Sequence, residues 1–182
     1  MNVVQTDLPD VLILEPKVFG DARGFFLESW NARVFREATG CDNAFVQDNH
    51  SRSRRHVLRG MHYQLVRPQG KLVRVVAGEV FDVAVDLRRS SPSFGRWTGV
   101  RLDASGHRQL WVPPGFGHGF LVLSETADLL YKTTEYWYPE HDRALAWNDP
   151  DLAIDWPLLG ATPQLAAKDA VAPRLRDAQF YD

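Results

Sequence analysis

The chain has 182 residues, 45% of them hydrophobic and 12% aromatic, enough for one sizeable core and rather short for two, so we expect one domain over residues 1–182. Its 21 lysines and arginines against 23 aspartates and glutamates leave a net charge of -2, which excludes a general attraction to nucleic acid or to an anionic membrane. The chain has a single cysteine and its first segment lacks a basic start, which predicts a cytoplasmic protein. It has no apolar run near ~20 residues, which predicts a soluble one.

Short segments rich in β-branched and aromatic residues recur along the chain, separated by Gly, Pro, Asp and Ser. This rhythm is typical of an all-β sandwich or barrel. In chain order, the predicted strands cover residues 11–15, 24–29, 45–49, 57–64, 71–77, 80–87, 97–102, 109–112, 119–123 and 127–136. One helix is predicted over residues 31–39, where Asn31 can cap the start and Gly40 can end it.

The clearest alternation lies in the segment 80–87. Apolar side chains at every second position predict one packed face, and Asp82, Ala84 and Asp86 predict a polar one. After residue 150 the strand pattern weakens and prolines interrupt the chain. We expect short helices or loops there that wrap the barrel.

Two segments carry the strongest chemical signal. The first reads GMHYQ over residues 60–64, followed by Lys71, and the second reads P-x-G-x-x-H over residues 113–118; their spacing resembles the two cupin motifs. Gln64 and Lys71 stand at two of the four positions where metal-binding cupins have ligands. We expect no bound metal, because an ammonium repels a dication and an amide is a poor transition-metal ligand. The remaining imidazoles and ammonium suit proton removal and oxyanion stabilisation.

The resemblance then becomes specific. Nearly from end to end, the chain is similar to the dTDP-4-dehydrorhamnose 3,5-epimerase family in the runs PKVFGDARGFFLESW, FVQDNHS, VLRGMHYQ, QGKLVRV, GEVFDVAVDLRRSSPSFG, WVPPGFGHGF, YKTTEYW and AWNDPDLAIDWP. It implies a metal-free cupin-type jelly-roll β-barrel that uses no cofactor. It also implies inversion of carbons 3 and 5 of dTDP-4-dehydro-6-deoxy-glucose, giving dTDP-4-dehydrorhamnose on the route to dTDP-rhamnose. The ketone acidifies the C–H bonds on both neighbouring carbons, so a base can form an enolate and an acid can reprotonate its other face.

The resemblance assigns four catalytic positions. His62 matches the base, Asp169 the carboxylate that pairs with it, Lys71 the position near the developing oxyanion, and Tyr131 the residue that returns a proton from the other side. A carboxylate on one ring nitrogen would fix the tautomer and strengthen the base. The competing interpretation makes Asp169 a helix cap, and a lone tyrosine in a β-rich chain is more often a packing residue.

Nine further positions match substrate-binding residues of the family. They are Phe19, Arg23, Glu28, Gln47, Asn49, Arg59, His118, Asp142 and Lys168. By this resemblance, Arg23 and Arg59 would neutralise the diphosphate and Phe19 would stack on the pyrimidine. The chain departs from the family at Asp142, where Glu is usual, and near Trp137, where a second Tyr is usual.

Strand parity adds expectations about geometry. Gln47 and Asn49 lie two positions apart, hence on one face of a strand. Arg59 and His62 should face opposite ways, so both can line one pocket only if the strand bulges, and Gly60 is the natural place.

Two expectations concern charged side chains. A buried carboxylate or ammonium is unfavourable unless paired, so we expect Asp82 and Lys71 to lie close together at the bottom of the pocket. The alternative is that Asp82 faces solvent at a strand end. The run Arg-Ser-Arg-Arg over residues 52–55 is expected to be a solvated loop.

The expected partners are a dTDP-sugar and a second copy of the chain. The segment with Phe19, Arg23 and Glu28 resembles the family's N-terminal arm, which reaches into the neighbouring subunit's site. Residues 11–15 are apolar enough to add a strand to a partner's sheet edge. Three other functions remain open: an epimerase acting at one carbon or on another 4-keto sugar nucleotide, a non-catalytic sugar-nucleotide-binding barrel, and a metal-dependent cupin oxygenase or isomerase.

Overall fold

A computed structural model describes residues 1–181, which contain thirteen strands and two α-helices. The strands are β1 Asn2–Gln5, β2 Leu12–Glu15, β3 Val18–Asp21, β4 Gly24–Leu27, β5 Gln47–Arg54, β6 Leu58–Gln64, β7 Lys71–Ala77, β8 Glu79–Asp86, β9 Trp97–Asp103, β10 Gln109–Val112, β11 Phe116–Val122, β12 Thr126–Thr133 and β13 Asp142–Ala144. The helices are α1 Ala32–Thr39 and α2 Ala167–Ala170.

Eleven strands form two antiparallel sheets with a shared core. The six-stranded sheet has the order β1-β2-β10-β7-β12-β5, and the five-stranded sheet has the order β13-β6-β11-β8-β9. Strands β3 and β4 pair with each other in a separate two-stranded sheet, as a hairpin. The shared core includes Val73, Leu110 and Leu129 from the first sheet and Val80, Ala84 and Phe120 from the second. This arrangement is a jelly-roll barrel, so the predicted all-β fold class is confirmed.

The outer face of the five-stranded sheet is covered by the C-terminal part of the chain. Val83 and Val85 of β8 belong to a second buried cluster with Leu152 and Trp156. The Trp97 indole N–H fixes this cover by donating to the Leu152 carbonyl oxygen at 3.0 Å. The expected wrapping of the barrel by the C-terminal segment is therefore confirmed.

Both predicted faces of strand β8, the apolar one and the polar one, are buried. Asp82 and Asp86 are both 0% exposed. Asp82 points into the barrel, whereas Asp86 accepts hydrogen bonds from Arg88, Ser91 and Ser93 in the turn that follows the strand. The alternation predicts the two faces correctly, but it could not show that a second layer covers the apolar face.

Helix α1 begins and ends as predicted. The Asn31 side-chain oxygen accepts from the backbone N–H of Arg33 at 3.1 Å and of Val34 at 3.2 Å, and Gly40 follows in a left-handed conformation with φ of 70°. Helix α2 begins after Ala166, so Asp169 lies inside the helix and the capping interpretation is wrong. Neither helix of residues 1–181 is long and apolar enough to span a bilayer.

Each predicted strand segment overlaps an observed strand, but two local interpretations were wrong. Residues 52–54 continue β5 rather than forming a solvated loop, because Arg52 pairs with Asp128 of neighbouring β12 at 2.6 Å. Charged side chains are common on such an edge strand. Residues 11–15 contain β2, which lies between β1 and β10 and so has no free edge to offer a partner. The edge strand beside it, β1, has no clear signal in the sequence.

Candidate functional site

Strand β6 carries a bulge beside the barrel cavity. His118 of β11 lies opposite His62, and Phe120 lies opposite Arg59, so two steps along β11 match three along β6. Gly60 has a φ of 122°, and a Cβ there would fall 2.8 Å from the His118 carbonyl oxygen. Only glycine fits this position without displacing the neighbouring strand. The bulge expected from strand parity is therefore present, and Arg59 and His62 line one cavity.

His62 and Asp169 form a hydrogen-bonded pair at the cavity wall. His62 Nε2 lies 2.7 Å from Asp169 Oδ1, although 107 positions separate the two residues. The Asp169 side chain is 1% exposed, against 26% for His62. Burial alone would raise the pKa of Asp169, but the hydrogen bond and charge of His62, with the Gly60 N–H, hold that pKa below its usual value. The ionised carboxylate favours a proton on Nε2 and leaves Nδ1 as the basic ring nitrogen.

Lys71 is buried at the start of β7, next to this pair. Its Nζ donates to the His62 backbone carbonyl oxygen at 3.3 Å, and its side chain lines the same cavity. Burial lowers the pKa of Lys71 from 10.5 to about 8, while the charges of Asp142 and Asp82 oppose that fall. The ammonium is therefore mostly protonated at neutral pH, in a cavity where little water screens its charge.

Tyr131 faces the cavity from the opposite sheet to His62. It lies on β12, in register with Val73 of β7, and so shares the inward face of that sheet with Lys71. His62 belongs to β6 of the five-stranded sheet. Burial raises the pKa of Tyr131, and the charge of Arg59 opposes this rise only in part, so the phenol stays protonated at neutral pH. A basic imidazole and an acidic hydroxyl thus occupy opposite walls of one cavity.

The cavity has two compartments, and four charged or titratable side chains line both of them. These four are His62, Lys71, Tyr131 and Lys168. The outer compartment is completed by Gln47, Asn49, Gln69, Trp137 and Asp142. The inner compartment is completed by Ser51, Arg59, His118, Gly119, Phe120 and Leu129. The structure therefore brings all four predicted catalytic residues together with six of the nine predicted binding residues.

His118 pairs with Asp82, which corrects the expected contact between Asp82 and Lys71. His118 Nε2 lies 2.8 Å from Asp82 Oδ1, and both side chains are buried. The register of β11 and β8 sets His118 opposite Ala84, so Asp82 is its diagonal neighbour. Lys71 belongs to the other sheet, and its ammonium has no ion pair within 4 Å in residues 1–181. The solvent-facing alternative for Asp82 is wrong too, since this residue is 0% exposed.

Polar pairs line the outer compartment. Lys168 Nζ lies 2.8 Å from Asp142 Oδ2. Gln47 Nε2 donates to Asn49 Oδ1 at 3.0 Å, in agreement with their expected position on one strand face. Asp142 already partly neutralises the Lys168 ammonium. An anionic ligand that binds Lys168 must therefore compete with this ion pair, which reduces the net gain in binding free energy.

Gln64, which stands at a metal-ligand position of the cupin pattern, lines neither compartment. Its amide instead bonds to backbone groups of Arg67, Tyr136 and Tyr138. In the described part of the chain, no three His, Cys, Asp or Glu side chains are grouped so that they could hold a metal ion. The cavity's ammonium and guanidinium groups suit an anionic substrate better than a cation.

Phe19, Arg23 and Glu28 lie outside this cavity. Phe19 and Arg23 belong to the β3–β4 hairpin, where Phe19 is 53% exposed and Arg23 pairs with the neighbouring Asp21 at 2.6 Å. Glu28 follows β4 and is exposed. Within one chain, the structure therefore does not bring these three predicted binding residues to His62.

Sequence reasoning missed two polar residues of the cavity. Ser51 lies two positions beyond Asn49 on β5, so extending the parity argument by one step would have found it. Gln69 precedes β7 in a loop, where strand parity gives no direction. The sequence marks Trp137 only as lying near a position where the family usually has a second Tyr. In the structure its half-exposed ring lines the outer compartment.

Comparisons with known proteins agree on one family. A family model described as dTDP-4-dehydrorhamnose 3,5-epimerase matches residues 5–177. The chain is 59% identical to the enzyme of that name from Pseudomonas aeruginosa over 181 residues, which cover 100% of this chain and 99% of that protein. A crystal structure of dTDP-6-deoxy-D-glucose-3,5-epimerase from Legionella pneumophila, in complex with dTDP-4-keto-L-rhamnose, has a TM-score of 0.95 and 53% identity, covering 98% of this chain and 94% of that one. The dTDP-4-dehydrorhamnose 3,5-epimerase structure from Elizabethkingia anophelis has a TM-score of 0.94 and 46% identity, covering 99% of each chain.

Proposed function

The chain belongs to the dTDP-4-dehydrorhamnose 3,5-epimerase family, and we propose that it inverts carbons 3 and 5 of dTDP-4-dehydro-6-deoxy-D-glucose to give dTDP-4-dehydro-L-rhamnose. The reaction is an isomerisation that needs only a base, an acid and a means of stabilising the enolate. The observation that carries the proposal is the position of His62, paired with Asp169, opposite Tyr131 across a cavity that also holds Lys71.

His62 is the base in this proposal. Its Nδ1 removes the proton from the carbon next to the ketone, and the imidazolium that forms is stabilised by the Asp169 carboxylate 2.7 Å from Nε2. The electron pair of the broken C–H bond moves onto the ketone oxygen. The Lys71 ammonium, held by the His62 carbonyl oxygen, offers a fixed positive charge to that oxygen.

Tyr131 completes each inversion. Its hydroxyl lies on the wall opposite His62 and gives a proton to the other face of the enolate carbon, so the C–H bond re-forms with inverted configuration. One proton passes from the sugar to His62 and one from Tyr131 to the sugar, after which solvent resets both groups. The same set acts on the second carbon once the sugar ring has shifted in the cavity.

A product analysis tests this function. The purified protein is mixed with dTDP-4-dehydro-6-deoxy-D-glucose, and proton NMR coupling constants report the configuration at carbons 3 and 5 of the product. We expect inversion at both carbons. Inversion at only one carbon would support the related single-carbon epimerase, and an unchanged sugar that still binds would support a non-catalytic barrel.

Replacing Tyr131 with phenylalanine should separate proton removal from inversion. His62 can still remove a proton and return it to the face it came from, so exchange with deuterated water should continue while inversion falls about a hundredfold or more. Mass spectrometry measures the exchange and NMR measures the inversion. Parallel loss of both would contradict the separate roles of His62 and Tyr131.

Substrate binding in this proposal uses both compartments and a second subunit. Arg59 and Lys168 line the cavity and supply positive charge for the diphosphate. Phe19 and Arg23 lie on an exposed hairpin and Glu28 follows it, and none of the three lines the cavity of the same chain, which supports a role in a neighbouring subunit's site. We therefore propose a homodimer in which each hairpin reaches the partner's cavity.

Mixing two inactive variants tests the shared site. Arg23→Ala should lose diphosphate affinity and His62→Ala should lose proton removal. Their heterodimer contains one cavity with both residues intact, so activity should reappear when the two variants are mixed and allowed to exchange subunits. Failure to regain activity, or a fully active monomer in sedimentation at nanomolar concentration, would contradict the shared site.

Location and domain organisation complete the proposal. We propose that residues 1–182 act as one domain in the cytoplasm, with the dTDP-sugar as ligand and no nucleic acid as partner. The free thiol of Cys41 is compatible with a reducing compartment. Cell fractionation of the native host, with antibody detection of the protein, tests the location.

A further inference from the structure

The His62–Asp169 pair depends on a very short helix near the end of the chain. Helix α2 has four residues, of which Asp169 is buried and the other three are exposed. It follows Ala166, whose side chain has no polar atom to cap the helix start. Isolated helices shorter than about 12 residues are marginal in water, so α2 does not fix its own position. The placement of the Asp169 carboxylate must come from the chain on either side of the helix.

The chain before α2 is anchored to the start of β6. Gln164 donates its backbone N–H to the His56 carbonyl oxygen at 2.8 Å, and its own carbonyl oxygen accepts from the backbone N–H of Leu58 at 3.0 Å. Leu58 is the first residue of the strand that carries His62. This anchor fixes where the chain approaches the cavity wall.

The chain after α2 is anchored to the segment that follows β13. The Pro173 carbonyl oxygen accepts from the backbone N–H of Ala146 at 2.8 Å, and the backbone N–H of Leu175 donates to Asp149 Oδ2. Asp149 is 1% exposed, and its Oδ1 accepts from the backbone N–H of Asp151 at 2.8 Å. One buried carboxylate thus holds the tail with one oxygen and its own turn with the other.

These contacts form a closed path that begins and ends at His62. Strand β13 pairs with the strand of His62, and Ala144 lies directly opposite it. The chain continues from β13 to Asp149, crosses to the tail through the carboxylate, and returns through α2 to Asp169, 2.7 Å from His62 Nε2. The neighbouring contact between Ala146 and Pro173 is made by backbone atoms, which a substitution leaves in place. The contact of Asp149 is made by a side chain and can be removed.

We propose that Asp149 is a positioning residue for catalysis: its buried carboxylate anchors the segment after α2 and so holds the Asp169 carboxylate against His62 Nε2. The proposal rests on the function proposed above, in which His62 is the base. Asp149 lines neither compartment of the cavity, so it acts through Asp169 and not on the sugar. A misplacement of about 1 Å caused by a remote substitution can lower a rate about a hundredfold.

Replacing Asp149 with alanine should disturb the dyad without touching it. The variant loses both acceptors, so the segment after α2 is released and kcat should fall about tenfold to a hundredfold. In the native protein the bond to Asp169 keeps the proton on His62 Nε2. In Asp149→Ala, the ring nitrogens of His62 should show a mixture of the two neutral tautomers. NMR of protein labelled with 15N-histidine measures this at a pH where the imidazole is neutral, and the His62 signals are assigned by their absence from His62→Ala.

A double-mutant cycle with Asp169→Asn separates positioning from a general loss of stability. Asp149→Ala should lower kcat in the native background and have little further effect once Asp169 is asparagine. The cycle compares kcat and not kcat/KM, because Lys168 on the same helix lines the cavity and its displacement would raise KM. Tyr181→Phe is the matched control. It removes a hydroxyl that bonds the tail to the Gln64 carbonyl oxygen at 2.7 Å, away from the two anchors of α2, so kcat and the His62 signals should stay native.

Equal proportional losses of kcat in both backgrounds would overturn the proposal, as would native 15N signals of His62 in an Asp149→Ala variant whose melting temperature alone has fallen. If Asp149→Ala does not fold, Asp149→Asn enters the same measurements, because it keeps the shape of the side chain but only one oxygen acceptor. The NMR measurement needs no turnover. A native protein that inverts no carbon would contradict the proposed function, and the His62 signals would still decide whether Asp149 holds the dyad.

Discussion

Replacing His62 with alanine should abolish measurable solvent exchange at both carbons of the sugar while leaving dTDP affinity nearly intact. Removal of a general base lowers rates roughly a hundred- to ten-thousand-fold, and here the base acts in the first chemical step. Within residues 1–181 the His62 side chain pairs with Asp169, and in the proposed mechanism it acts on the sugar carbons and not on the nucleotide. Mass spectrometry in deuterated water measures the exchange, and calorimetry with dTDP measures the binding.

His50→Ala is the matched control for this experiment. His50 lies on the outward face of β5 with its side chain 57% exposed, so its loss should leave exchange unchanged. The exchange rate of Asp169→Asn should lie between those of His62→Ala and His50→Ala, because an amide no longer favours the imidazolium that His62 forms. A His62→Ala enzyme with near-normal turnover would remove His62 from the mechanism.

Replacing Lys71 with methionine should lower kcat about a hundred- to a thousandfold, the effect typical of removing a preorganised group that stabilises an oxyanion. Its charge is needed chiefly when the enolate forms, so dTDP affinity should change much less than the rate. Lys132→Met is the control, because Lys132 pairs with Asp48 on the surface of β12 and should leave the rate unchanged. A Lys71→Met variant with normal kcat would contradict the role of the ammonium.

The pKa of Lys71 gives this prediction a pH dependence. Because burial lowers that pKa to about 8, the native enzyme should lose kcat/KM as the pH rises through about 8 and the ammonium loses its proton. Lys71→Arg keeps a cation at these pH values, so this alkaline limb should move to higher pH even if the overall rate falls. If kcat/KM of Lys71→Arg falls at the same pH as in the native enzyme, the alkaline loss of activity comes from another titrating group.

As the pH rises through the pKa of Lys71, the stability of the fold should increase while the activity decreases. The folded pKa of Lys71 lies below the unfolded value of 10.5, so the unfolded chain binds more protons between about pH 8 and 10.5 and stability rises across that window. Below pH 8, holding the ammonium in the cavity costs the fold up to roughly 3 kcal/mol. Lys71→Met should therefore melt at a higher temperature than the native protein at pH 7. This combination separates loss of function from loss of structure.

The sequence predicts the barrel and the bulge of β6 for a physical reason. Alternation along single strands and the position of Gly60 are local features, and local features decide which face a side chain takes. The alternation of side chains along one strand does not show which residue of another strand each side chain contacts. Asp82 was correctly placed on the inner face of β8, but its partner is His118 on a neighbouring strand and not Lys71 on the facing sheet.

The remaining features depend on long-range contacts. The pairing of His62 with Asp169 spans 107 positions, so only resemblance to a family could suggest it. Gln64 was recognised from the cupin pattern as an unsuitable metal ligand, but its bonds to the loop around Trp137 arise where β6 meets a segment more than seventy positions away. Nothing in the local pattern predicts such contacts.

The position of deuterium in the product tests the central claim most directly. The native enzyme is incubated with dTDP-4-dehydro-6-deoxy-D-glucose in deuterated water, and NMR locates the label in the dTDP-sugar. Proton removal and return from opposite walls predict deuterium at carbons 3 and 5 of a product inverted at both. Inversion without deuterium at these carbons, or deuterium at neither with the sugar unchanged, would contradict the account.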